Sequence, residues 1–246
     1  MKNYSIDINC DLGEGIGNDA LLMPLLSSCN IACGGHTGDE KSMKETIKLA
    51  LEHGVKIGAH PSYPDRENFG RKEIDITLSK LEENIENQIN TFKNILNNTR
   101  GKLHHIKPHG ALYNVAAKNR KVAVIILNAV QNTVDNVFLY VPYNSVIHQL
   151  ALERGIKVKI EAFADRNYNP DLSLVSRTNT NAVITAPELV RQHLMNMIIH
   201  KKVVSIDGVE LPMYADTFCV HGDNPNAIEI LKFLHTELPK NGIRIE

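Results

Sequence analysis

Seven short apolar runs, each followed by a longer amphipathic stretch, constrain this chain more than any other feature. The runs are SIDINCDLG, CNIACGG, VKIGAH, HHIKPHG, VFLYVPY, VKIEAFAD and TFCVHGD, beginning near Ser5, Cys29, Val55, His104, Val137, Val158 and Thr217. Their length and β-branched content mark buried strands. Helical periodicity fills the gaps, over 39–53, 78–96, 111–130, 145–154 and 187–200, and again over 225–238 after the last run. Asp39 is placed to cap the first helix, with Met43, Ile47 and Ala50 on its buried stripe and Gly54 at its end. Pro187 and Pro225 fall where a first helical turn tolerates proline. Strands and helices alternating at this spacing form βαβ units around a parallel sheet. At this length the expected fold is one barrel-like α/β domain over residues 1–246.

Two stretches break the alternation. Residues 61–76 carry prolines, glycine and charge, and read as a long loop after the third strand. Around Asp207-Gly208 the sequence predicts a hairpin near 203–212, because Asp-Gly suits the positive φ angles of a two-residue turn.

Composition excludes several classes of partner. The chain has 27 Lys and Arg against 28 Asp and Glu, so no overall positive field exists to hold a nucleic-acid backbone. The amino-terminal MKNYSIDINCDLGEG lacks a signal-peptide apolar stretch, and no membrane-spanning run occurs, so a cytoplasmic protein is expected. Cys10, Cys29, Cys33 and Cys219 have neither a disulfide pattern nor zinc-knuckle spacing, and read as reduced, buried side chains.

Chemistry-bearing residues recur at the carboxyl ends of the strands. Asn9, Asp11 and Glu14 follow the first, Asn30 and His36 the second, His60 the third, and Lys107 and His109 the fourth. Glu161, Asp165 and Arg166 belong to the sixth, and His221 and Asp223 to the seventh. In a parallel barrel those ends share one face, where such folds build active sites. A single strand histidine is more often structural than catalytic, but four together are harder to dismiss. Asp223 has a plainer reading as the cap of the helix that starts at Pro225.

Imidazoles beside carboxylates leave two options open. They bind a divalent ion that activates water, or they act directly as general acid and base. The absence of HExxH or a close His pair weighs against metal, and a set of His60, His109 and Asp11 is the one that would hold it. Arg66, Arg71, Lys72, Lys107, Arg166 and Arg177 gather near the same face, as a solvated loop also would. Lys107 and Arg166 are the expected holders of a carboxylate or phosphate, with backbone N–H groups at Gly34-Gly35 and Gly110 adding to them. No GxxxxGK[ST] loop occurs, and Gly13, Gly15 and Gly17 do not fit a dinucleotide fingerprint.

NCDLGE, NIACGGHTGD, IGAHPSYPDR with FGR, HIKPHGALYN, FADRNY and DTFCVHGD stand in an order and spacing that resembles the LamB/YcsF family over nearly the whole chain. The resemblance implies a seven-stranded TIM-like parallel barrel, a single (β/α)7 domain of the glycoside hydrolase/deacetylase type, in agreement with the seven runs above. It also implies the A subunit of a bacterial ATP-dependent 5-oxoprolinase, which opens 5-oxo-L-proline to L-glutamate with ATP as co-substrate, Mg2+ accompanying it, and B and C subunits as partners. It carries over Asp11, Glu14, His36, Asp39, His60, Lys107, His109, Asp165, Arg166, Asp216, His221 and Asp223 without roles. From the reaction, Asp11, Glu14, His60, His109 and His221 are the expected catalytic group, and Asn9, His36, Lys107, Asp165, Arg166 and Asp223 the substrate-binding group. Two rival readings are a metal-dependent amide deacylase and a non-catalytic subunit that presents the substrate. The chain departs from the family pattern at Gly35, usually aromatic, at Arg66, usually aliphatic, and in VPYNS after the fifth strand.

Overall fold

The structure, a computed structural model, describes residues 3–246. Its strands are β1 (Tyr4–Leu12), β2 (Ser28–Ala32), β3 (Lys56–His60), β4 (Leu103–Ile106), β5 (Phe138–Pro142), β6 (Val158–Phe163), β7 (Lys202–Val204), β8 (Glu210–Pro212), β9 (Thr217–Cys219) and β10 (Ile243–Ile245). The helices are α1 (Asp19–Leu22), α2 (Glu40–His53), α3 (Leu78–Asn97), α4 (Gly110–Ala116), α5 (Arg120–Thr133), α6 (Val146–Glu153), α7 (Pro187–Met195) and α8 (Ala227–Glu237). Strands β1 to β6 pair in sequence, all parallel, and β9 closes the ring by pairing with both β6 and β1. The result is the expected seven-stranded TIM-like barrel. The short β10 adds an eighth parallel strand outside the ring, with Tyr4 opposite Ile243. β7 and β8 form the antiparallel hairpin, with Val204 opposite Glu210.

Alternation along β1 shows how the barrel is filled. Ile6, Ile8, Cys10 and Leu12 are buried with the apolar core, whereas Asp7, Asn9 and Asp11 join hydrogen bonds that cross to other strands. Asp7 Oδ1 accepts from Ser28 Oγ and Thr217 Oγ1, both at 2.7 Å. One step higher, Asn9 Nδ2 donates to Thr217 Oγ1 at 2.8 Å, and Asn30 Nδ2 reaches Asn9 Oδ1 at 2.7 Å. The inside of the barrel is thus a column of paired polar groups, because each would cost free energy if buried without a partner.

Local signals set the helix ends. Asp39 accepts from Ser42 N while Ser42 Oγ accepts from Asp39 N, a reciprocal capping box, and Gly54 ends α2 in the left-handed region at φ 67°. The expected single helix over 111–130 is two: Asn119 Oδ1 accepts from Lys121 N and Val122 N and starts α5 afresh. Apolar periodicity continues through that break, which is why the pattern alone hides it. Beyond Met195, α7 loosens into a π-helical turn, Asn196–His200, ending in left-handed Lys201. The last helix begins at Ala227 with Asn226 at its cap position, so Asp223 is not its cap.

Candidate functional site

The carboxyl ends of the barrel strands open into a cavity of about 490 Å³. Asp11, Glu14, His60, Lys107 and His109 form its floor, and Arg71, Arg177, His221 and Asp223 lie around its mouth. A second compartment of about 610 Å³ adjoins it, and the two share Arg71, Tyr113, Asn114 and Phe163.

At the centre of the floor Lys107 is 2% exposed. Its Nζ lies 2.9 Å from both Asp11 Oδ1 and Glu161 Oε1 and 3.3 Å from Cys219 Sγ. Burial alone would lower the Lys107 pKa, but the Asp11 and Glu161 charges override it and hold the ammonium well above its usual range. Burial likewise opposes the charge on Asp11, yet His60 and Lys107 keep that carboxyl well below its usual range. Lys107 is therefore committed to its acidic neighbours. Asn9 stands one layer below, fully buried, and does not reach the cavity wall.

Beside this ion pair stand three imidazoles. His60 Nε2 is 3.3 Å from Asp11 Oδ2, and His109 Nδ1 is 2.9 Å from His60 Nε2 and 3.4 Å from Glu14 Oε1. The His36 ring stacks on His109 at 3.7 Å, and its Nε2 meets Glu14 Oε1 at 3.0 Å. Burial pushes His36 down to about 2 and His109 well below the usual imidazole range. Glu14 is pushed well above the usual carboxylate range, by burial first and then by the charges of Asp11 and Asp223.

Across the cavity, His221 Nδ1 lies 2.8 Å from Asp165 Oδ1, while Asp165 Oδ2 accepts from His221 N and Asn224 Nδ2. Asp165 thereby fixes the orientation of His221, whose ring packs on Phe163.

The expected anion holders are already engaged, Lys107 by Asp11 and Glu161 and Arg166 by its own loop. Arg166 donates to the backbone carbonyls of Ala182 and Val175, at 3.1 and 2.7 Å, and thereby ties down its own loop. Of the backbone groups at these turns, the Gly34 N–H is bound to Thr37 O, and the Ala111 N–H, next to Gly110 at the start of α4, to Gly70 O. The guanidiniums of Arg71 and Arg177 face the cavity instead. Both hold Asp223 Oδ2, at 2.6 and 2.9 Å, so Asp223 bridges the loops after β3 and β6. Period and spacing say nothing about which loop cation turns inward; that depends on tertiary packing. The Glu161 carboxylate, two residues before the end of β6, faces inward by strand alternation, a signal present in the sequence.

Arg66 ties Gly34 O and Gly38 O at 3.1 Å each. A Cβ on Gly35 would meet Gln88 Oε1 and Ser62 Oγ at 2.4 Å. Here Gln88 fills the space beside Gly35, accepting from Ser62 N and donating to Ser62 O.

The LamB/YcsF family profile matches residues 6–246. The chain belongs to the LamB/YcsF family. This LamB/YcsF chain is 40% identical over 244 residues to a Bacillus cytotoxicus protein named as the A subunit of 5-oxoprolinase, covering 97% of each. It is 42% identical over 247 residues to one of the same name from Shouchella clausii, covering 98% of each. A solved structure, the lactam utilization protein from Thermus thermophilus, superposes with a TM-score of 0.91 at 35% identity, covering 98% of this chain and 99% of that one. Among the described residues, no helix is long and apolar enough to cross a membrane.

Proposed function

We propose that this protein is the A subunit of an ATP-dependent 5-oxoprolinase, working in the cytoplasm with B and C subunits to open 5-oxo-L-proline to L-glutamate. The observation that carries the reading is the cavity itself, with a carboxylate and imidazole floor beneath a pair of arginines, in a chain so similar to proteins bearing that name. A five-membered lactam resists water because amide resonance must be broken and the ring recloses readily. Transfer of the ATP γ-phosphoryl group to the amide oxygen, with Mg2+ accompanying the nucleotide, makes that carbon open to attack. ADP departs, a water oxygen adds to the carbon, the ring C–N bond breaks with its nitrogen protonated to leave an acyl phosphate on the side-chain carboxyl, and a second water hydrolyses that acyl phosphate to L-glutamate and phosphate.

Each part asks something of the chain. Arg71 and Arg177 would hold the substrate carboxylate or a phosphate, displacing Asp223. Arg71 lines both compartments, a position suited to a cation between lactam and phosphoryl donor. The His60, His109 and Asp11 group would take the proton of the attacking water, while His221, oriented by Asp165, would return one to the ring nitrogen.

The test is glutamate release from 5-oxoproline by the complex reconstituted with its partner subunits. Asp11→Ala and His109→Ala are expected to lower kcat by about 10²–10⁴-fold, the usual worth of a positioned acid or base. Undiminished turnover in both variants would overturn the role of this floor. Equal turnover without ATP would overturn the coupled reaction.

A further inference from the structure

The imidazoles at the floor of the cavity have tautomers set by what lies behind them. His60 Nδ1 is 2.7 Å from Lys107 O. His109 Nε2 is 3.0 Å from Phe69 O. A carbonyl oxygen only accepts, so each of these nitrogens carries the ring proton and donates it outward. In the neutral rings the other nitrogens, His60 Nε2 and His109 Nδ1, are then both lone-pair acceptors. They face one another at 2.9 Å, with Asp11 Oδ2 at 3.3 Å from the first and Glu14 Oε1 at 3.4 Å from the second. Acceptors converging on one point repel unless a positive species lies between them.

The spacing says which species. With bonds of about 2.0–2.1 Å, the ligands of a tetrahedral divalent ion stand about 3.3 Å apart. His60 and His109 stand 2.9 Å apart, His60 and Asp11 3.3 Å, and His109 and Glu14 3.4 Å, and ligand atoms of Glu14, His60 and His109 lie within 4.8 Å of one another. A single shared proton would account for the 2.9 Å contact; a metal ion accounts as well for the Glu14 carboxyl oxygen, which gathers with the ring nitrogens of His60 and His109 within 4.8 Å. Backbone carbonyls receiving the outer N–H of both rings are also the support that metal-bound histidines use. The chain strains itself to supply one of them: Phe69 adopts a positive φ of 55°, uncommon for a bulky residue, to aim its carbonyl at His109. Gly70 follows at φ 62°, where a Cβ would press on His36 and His109 at 2.9 and 3.1 Å.

We propose that His60 Nε2, His109 Nδ1 and the Glu14 carboxylate, with Asp11 beside them, bind one divalent transition-metal ion at the floor of the cavity. Imidazole nitrogen with carboxylate oxygen suits Zn2+ and its neighbours rather than Mg2+. His36 holds Glu14 in place and stacks on His109. Such an ion supplies a Lewis acid and an activated water facing the substrate, and the imidazoles then serve as its ligands. The metal site goes beyond the lactam reading and does not depend on it.

The experiment titrates Zn2+ calorimetrically into the full chain after dialysis against a chelator, with Co2+ as a spectroscopic probe in parallel. One equivalent per chain is expected, with a visible Co2+ absorption band of tetrahedral type and a rise in Tm on adding Zn2+. His109→Gln and Glu14→Gln should each weaken binding by about 10-fold or more, whereas His235→Gln, remote from the cavity, should bind as the parent chain does. A folded, chelator-treated parent chain that takes up no stoichiometric ion would overturn the proposal and leave a shared proton as the charge between the rings. Unchanged affinity in both folded floor variants would overturn it equally. Should those variants fail to fold, the Tm and absorption responses of the parent chain decide. Zinc uptake by a chain whose complex, reconstituted with the partner subunits, shows no 5-oxoproline turnover would sink the lactam reading and leave the metal site standing.

Discussion

Lys107 illustrates how much a single side chain governs here. A buried ammonium between two carboxylates is stable only while all three remain, since removing one partner leaves an unpaired charge in a medium that solvates it poorly. Lys107→Met strands Asp11 and Glu161 together as like charges, and should destabilise the fold by about 3–5 kcal/mol, read from denaturant unfolding. Adding Glu161→Gln to that variant should recover part of the loss, because one of the two uncompensated charges disappears. A Lys107→Met chain as stable as its parent would show that the ion pair is not held as described. At this scale the sequence is a partial guide. It marks Lys107 as a residue beside the site, but the pairing that removes it from the pool of anion binders depends on β6 meeting β1 through β9.

Among elements, the link between α3 and the end of β3 bears most on the site. Gln88, on one face of α3, grips Ser62 N at 3.0 Å and Ser62 O at 2.8 Å, two residues past His60. It does so in the space that a side chain at position 35 would enter. The glycine at 35 and the glutamine at 88 thus form a matched pair. Gly35→Ala should cost about 1–3 kcal/mol through overpacking. Combined with Gln88→Ala the cost should be less than the sum of the two single changes, because part of the clash is with the group removed, the rest being with Ser62 Oγ. Thermal unfolding of the four proteins checks this, and strict additivity would deny the contact. Some elements are legible in the sequence for physical reasons: the Asp39 cap and the Gly54 terminus of α2 are local signals, read from adjacent residues. Others are not. Asn119 divides a continuous apolar stripe, and the cap residue is visible only once the chain is seen to turn there.

For the molecule as a whole, seven strands alternating with helices predict a parallel sheet of βαβ units, and the family resemblance adds that the sheet closes into a ring. The convergence of Asp11, His60 and His109 follows from that ring, because strand ends β1, β3 and β4 lie near one another on one rim. What the pattern does not contain is loop placement. Arg71 and Arg177 come from segments without periodicity, and the same composition serves a solvated loop, so their approach to Asp223 becomes visible only in three dimensions. The polar column inside the barrel lies between these cases: Asp7, Asn9 and Asp11 alternate with Ile8 and Cys10, but which face turns inward is decided by closure.

The proposed function depends on one cavity at that rim receiving a small cyclic amide. A crystal structure of the chain with 5-oxo-L-proline bound tests this most directly. The ligand is expected in the cavity of about 490 Å³, its carboxylate drawn to Arg71 or Arg177 and its ring amide over Asp11, His60 and His109. A ligand seated away from the strand ends, with those three side chains out of its reach, would contradict it.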